Sequence, residues 1–146
     1  MQKKHFVIIL IVLSLIGLGI SLSLTYNHFN PTLTGGVCDI TASVSCTVVN
    51  TGLYSRIFGI PVALYGVVWF LVSGILSWYS LNNNKVIAKL VGWNVTGLLF
   101  VFYFIYVELV LGTLCPFCTV VHVLVVISLI LSIILYKQFY KSELPS

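Results

Sequence analysis

Four apolar runs, each about as long as a bilayer core is thick, constrain this chain more than any other feature. They cover roughly Phe6–Tyr26, Ile60–Leu81, Val86–Leu111 and Cys115–Tyr136. A helix needs ~20 residues to cross a hydrocarbon core of ~30 Å. A water-soluble fold fails on surface area. With 60% of its 146 residues hydrophobic and 7% charged, and a mean hydropathy of +1.13, the chain has too little polar surface to cover such a fold. The expected fold class is an all-α integral membrane protein, a four-transmembrane-helix bundle formed as a single domain over residues 1–146.

The first run exceeds the ~7–15-residue apolar centre of a secretory signal and has no A-x-A-like cleavage site after it, so it reads as a span. Within it Gly17 and Ser21 stand four apart, a small-xxx-small spacing that lets a neighbouring helix approach closely. Pro61 suits the first turn of the second helix. Trp78 and Tyr79 suit the membrane interface.

A net charge of +4 raises the possibility of a nucleic-acid binder, which the placement of the charges excludes. Lys3, Lys4, Lys85, Lys89, Lys137 and Lys141 flank the apolar runs and build no basic patch interleaved with aromatics. They orient the bundle instead. Of the 7 Lys and Arg, only Arg56 falls outside the two tails and the 82–89 connection. The excess of positive charge on the cytoplasmic side then puts both termini inside, with the 27–59 loop and the short 109–114 link facing outward.

All 4 cysteines fall on that outward side: Cys38 and Cys46 in the long loop, Cys115 and Cys118 at the start of the last span. Disulfides form and persist outside the cytoplasm. Two structural bridges clamping a loop explain the wide pair tolerably. They explain Cys-Pro-Phe-Cys poorly, because so small a ring constrains little of the unfolded chain. At a helix N-terminus that spacing is a redox arrangement, since the helix dipole and free N–H groups stabilise a thiolate. A soft-metal site of four sulfurs lacks the paired close spacing that such sites show, so no metal is expected.

Helical spacing puts Cys115, Cys118 and His122 at i, i+3 and i+7 on one face. His122 lies about one turn deeper into the membrane than Cys118. An ionisable residue inside a span is a candidate for function, and a histidine bonded to a neighbouring helix is the competing reading. Glu108 reads as solvated at the outer interface and Asp39 as a loop residue. Val49, Leu53 and Ile57, four apart, predict a short amphipathic helix in the outward loop, with Gly52 weakening it.

Three segments, "CDITASVSC", "YSRIFGIPVALYG" and "LCPFC", resemble in order the vitamin K epoxide reductase family, in its prokaryotic disulfide-forming branch. The resemblance implies a quinone (ubiquinone, menaquinone or a vitamin K-like one) held near the outer leaflet. It implies that Cys118 faces the quinone, that Cys115 alternates between Cys118 and Cys46, and that Cys38 exchanges with an extracytoplasmic thioredoxin-like (DsbA-like) protein. His122, Ser55 and Phe58 become the implied quinone contacts. Reduction of vitamin K quinone or its epoxide is the alternative, which two departures weigh against: the animal enzymes carry Tyr at the position of His122 and Asn at that of Ser55. Many prokaryotic relatives fuse a thioredoxin-like domain after the last helix. A chain ending at Ser146 predicts a separate partner, and the branch implies a prokaryotic plasma membrane.

Two further rivals follow. The unrelated DsbB type of quinone-linked enzyme also has four helices and four cysteines, but its Cys-x-x-Cys precedes the wider pair, the reverse of the order here. A non-enzymatic tetraspan scaffold predicts cysteines that stay oxidised whatever donor or quinone is present.

Overall fold

In hydrocarbon each backbone N–H and C=O must find its partner within the protein, which leaves helices as the spanning form for apolar runs of this length. A computed structural model describes residues 2–31 and 38–140. Its long helices are α1 (Lys3–Phe29), α3 (Val62–Ser80), α4 (Lys85–Leu111) and α5 (Pro116–Leu135), with a π-helical turn at Tyr136–Tyr140 extending the last one. All four are long and apolar enough to cross a membrane.

Between α1 and α3 lie a short helix α2 (Cys46–Thr51), a 3-10 turn (Leu53–Ser55) and a small antiparallel ribbon, β1 (Arg56–Ile57) with β2 (Ile60–Pro61). The expected amphipathic helix is therefore real but shorter than its four-residue repeat suggested. Gly52 takes an extended conformation and ends it. Phe58 and Gly59 then turn the chain through positive φ, 52° and 79°, a geometry glycine tolerates and an aromatic residue does not favour. Val49 is buried, whereas Leu53 is 96% exposed and Ile57 belongs to β1. Pro61 also departs from expectation: it pairs with Arg56 and stands at the N-cap of α3, just before the first turn.

The small residues of α1 set its approach to α3. Ser14 faces Gly74, Gly17 meets the Phe70 ring, and Ser21 meets Gly66. Hydrophobic exclusion does not drive helices together in lipid, so close packing of this kind is what joins them. A second lock joins α3 to α4. The Trp93 indole N–H donates to the Trp69 carbonyl at 3.1 Å, and the Trp69 indole N–H donates to the Trp93 carbonyl at 3.4 Å. Trp78 and Tyr79, by contrast, are exposed as interface anchors require.

The two ends of the bundle differ in chemistry. At one end Lys3 bonds the Leu81 carbonyl and Asn84, over a cluster of Phe6, Val7, Leu10, Ile87, Leu90 and Leu135. At the other, Leu24, Val49 and Ala63 pack around Cys38, Cys46 and Cys115.

Candidate active site

The loop between α1 and α3 is tied down mostly by its own backbone. Thr41 and Val44 close a tight turn through N–H···O bonds of 3.1 and 3.2 Å. The Ser45 N–H donates to the Leu114 carbonyl at 3.0 Å, and the Leu114 N–H to the Ser43 carbonyl at 2.9 Å. These bonds lay residues 43–45 alongside the link into α5, so that the residue after each segment, Cys46 and Cys115, is brought together.

Asp39 does more than the sequence suggested. Its carboxylate accepts from the Ser45 hydroxyl (2.6 Å), the Thr47 N–H (3.0 Å) and the Thr47 hydroxyl (2.5 Å). Ser45 in turn caps α2 by accepting from the Val48 N–H at 3.2 Å. The donors hold the Asp39 carboxyl below the usual carboxylate range, the Ser45 hydroxyl foremost. Asp39→Ala removes this clasp, and its expected effect resembles loss of a helix cap, about 1–2 kcal/mol. Thermal unfolding in detergent and faster amide exchange at Thr47 and Val48 check it.

On its other side α2 is bonded to α1. The Asn50 amide donates to the Leu24 carbonyl at 2.6 Å. Arg56 Nε donates to His28 Nε2 at 3.2 Å, which leaves the His28 Nδ1–H to donate to the Asn50 carbonyl at 2.6 Å. Arg56, legible in the sequence only as the one cation on the cysteine side, is thus part of the loop's anchor.

Cys38 and Cys46 form a disulfide with their Cα atoms 5.5 Å apart. Cys115 and Cys118 are free thiols. The fully buried Cys115 Sγ lies 3.2 Å from Cys46 Sγ. Cys115 also serves as the N-cap of α5, with Pro116 at the first helical position and its Sγ accepting from the Cys118 N–H at 3.2 Å.

Glu108 corrects a second expectation. It is 6% exposed, and its Oε1 accepts from the Cys115 N–H at 3.2 Å. Gly112, at φ 61°, ends α4 in a left-handed turn, and the Gly112 and Thr113 N–H groups close back on the Glu108 carbonyl. The link is thereby folded so that Glu108 reaches Cys115. Position in an apolar span was the signal that could have flagged it. Glu108→Leu strands a buried N–H and is expected to cost about 1–3 kcal/mol. Glu108→Gln keeps an acceptor and is expected to retain most of that stability, so the pair compared by thermal unfolding isolates the bond.

Below the cysteines, α3, α4 and α5 line a half-open cavity of about 390 Å³. Its wall carries the aromatic rings of Tyr65, Trp69, Trp93, Phe100 and Phe104, with Thr96 and His122 as polar points. A smaller cavity of about 60 Å³ is lined by Cys118 and shares Val62, Gly66, Phe104, Val121 and His122 with the larger one. His122 stands at that boundary, buried and stacked on Phe104 with ring centroids 5.8 Å apart. An aromatic, mostly apolar chamber of this size suits a flat ring with few polar atoms.

The fold thus gathers Cys38, Cys46 and Cys115 and sets Cys118 and His122 against the cavities. Ser55 and Phe58 are not brought to them. Ser55 is buried beneath the loop, and Phe58, at the tip of the ribbon, is 97% exposed. The cavity aromatics that sequence reading missed, Tyr65, Trp69, Trp93 and Phe104, come from two helices, α3 and α4, and carry no local signature. For metal, the fold assembles three sulfurs rather than four, two of them already joined as the disulfide.

Two comparisons bear on this geometry. The profile described as the Vitamin K epoxide reductase family matches residues 8–133, a stretch reaching from the first span into the last and holding all four cysteines. No curated protein matches the chain.

Proposed function

The chain belongs to the vitamin K epoxide reductase family, whose members are membrane oxidoreductases that act with quinones, and from that premise we propose that it carries electrons from an external dithiol protein to a quinone. The observation that carries the reading is the 3.2 Å approach of Cys115 Sγ to Cys46 Sγ. That contact joins the loop pair to a helix pair whose Cys118 lines an apolar cavity.

The steps are thiol–disulfide exchanges, each an attack by a thiolate through a mixed disulfide. A thiolate of a thioredoxin-like (DsbA-like) partner attacks Cys38, and Cys46 leaves. Cys46 attacks Cys115 of the Cys115–Cys118 disulfide, and Cys118 leaves as a thiolate. The partner's second thiolate then displaces Cys38, and the partner departs oxidised. Cys38 attacks Cys46, restoring the loop disulfide and freeing Cys115. Cys115 and Cys118 then join, giving up two electrons and two protons. A quinone bound in the cavity accepts both. His122 and the aromatic wall hold its ring, with the imidazole at hand to hydrogen-bond an oxygen or move a proton.

Charge placement supports the sidedness. Six lysines avoid the cysteine end, so that end faces the extracytoplasmic side and the termini face the cytoplasm. Net disulfide formation outside the cytoplasm is the result.

The test is quinone reduction by the purified protein in detergent, driven by a reduced thioredoxin-like donor. Steady turnover is expected, with none in Cys115→Ala. Weaker quinone binding is expected in His122→Ala. A folded protein inert toward every common quinone would overturn the reading, and turnover of vitamin K epoxide would redirect it to the reductase alternative.

A further inference from the structure

The sulfurs of Cys38, Cys46 and Cys115 all lie within 4.8 Å of one another, and all three residues are buried. Their closeness does not depend on the disulfide. Asp39 grips Ser45 and Thr47, the neighbours of Cys46 on either side, while itself adjoining Cys38. Leu114 exchanges backbone hydrogen bonds with Ser43 and Ser45 beside Cys115. Breaking the S–S bond therefore leaves three thiols in one small cluster held by bonds that involve no sulfur, with the Cys38 and Cys46 sulfurs free to part to non-bonded distance.

We propose that reduction of the Cys38–Cys46 disulfide opens a capture site for one cuprous ion, built from the sulfurs of Cys38, Cys46 and Cys115. Metal–sulfur bonds near 2.3 Å put three sulfurs around one ion about 4 Å apart, which the observed spacing brackets. Thiolates select soft cations, Cu(I) foremost. Zinc prefers four ligands in a closed site, and the described residues place no fourth Cys, His, Asp or Glu donor atom in this cluster. Cys118 is outside it; its N–H contacts Cys115 Sγ, but its own sulfur is not among the three.

The chemistry balances without a hidden reactant. A small dithiol gives two electrons and two protons to the Cys38–Cys46 bond and becomes a disulfide itself. Copper, supplied already as Cu(I), undergoes no redox change, and the thiol protons it displaces pass to buffer. The site holds whichever way electrons run through the protein. Its consequence is exclusion: an ion on these sulfurs occupies the same atoms that exchange disulfides.

The experiment uses the full chain in detergent, reduced with dithiothreitol, desalted without oxygen and titrated with Cu(I) against a chromophoric chelator. One equivalent is expected to bind to the reduced protein. Affinity is expected to fall at least about tenfold in the oxidised protein and in Cys38→Ser and Cys115→Ser, and to hold in Cys118→Ser. Copper-edge X-ray absorption gives a second readout, three sulfur neighbours in wild type and two in Cys38→Ser. If Cys38→Ser binds like wild type while Cys118→Ser loses the ion, copper sits on the helix pair alone and the proposal fails. Equal binding to oxidised and reduced protein, or none to the reduced, overturns it as well. A Cys38→Ser protein with altered thermal unfolding leaves the sulfur count in wild type to decide, where two rather than three sinks the site.

Discussion

Cys118→Ala is expected to stop quinone reduction outright and to collect the protein in a Cys46–Cys115 disulfide. In the native chain Cys115 has two sulfur partners, and the choice between them is the pathway. Cys46 Sγ stands 3.2 Å away, and Cys118 contacts Cys115 through its backbone N–H. Removing Cys118 leaves Cys115 a single partner, so its exchange with the loop disulfide is no longer drained by the helix pair and is opposed only by Cys38 returning to Cys46. Cys38 is released as a free thiol at the same moment. Non-reducing peptide mapping then finds the 46–115 link, and a thiol-specific label finds Cys38. Cys115→Ala is expected to show neither and to be equally inactive. Retained turnover in Cys118→Ala would remove the helix pair from the electron path.

The second large effect concerns packing. Gly17→Leu is expected to unseat α1 from α3, because any side chain at that position enters the Phe70 ring. Phe70 is 1% exposed and stands edge-on to Trp69, with ring centroids 4.8 Å apart. Both rings line the larger cavity, so a Phe70 ring displaced from Gly17 is pushed into the space that cavity occupies. Overpacking of this kind costs about 1–3 kcal/mol or more. Gly19 supplies the matched control, since a Cβ there meets nothing within 4 Å. Gly19→Leu is expected to unfold at the wild-type temperature in detergent and Gly17→Leu well below it, with quinone binding lost in the same protein. Coincident unfolding of the two would mean that the α1–α3 contact does not hold the bundle together.

These two predictions rest on different layers of legibility. Gly17 and Ser21 announced a close helix contact by spacing alone, because four residues is a helical repeat and small residues permit approach. Their partners, Phe70 and Gly66, carried no such mark. Likewise the short helix in the loop was visible through its apolar repeat, while its Ser45 cap and its end were not. Gly52 breaks the repeat one residue before Leu53, and the next apolar residues serve a ribbon instead.

What the chain determines by itself is what hydropathy, charge and local spacing can state. Four spans, lysines at one end and cysteines at the other, and a thiol pair at the start of the last helix all follow from neighbours in sequence. Tertiary structure alone decided the relations between distant residues. Glu108 looked solvated until the left-handed turn at Gly112 folded the link and aimed it at the Cys115 N–H. Asp39 looked idle until the loop closed on Ser45 and Thr47. The cavity wall needed three helices to exist, and residue spacing left open which loop sulfur meets Cys115, a partner 69 positions away. Such contacts form only after entropy has been spent on closing the loops between them, so no window of sequence contains them.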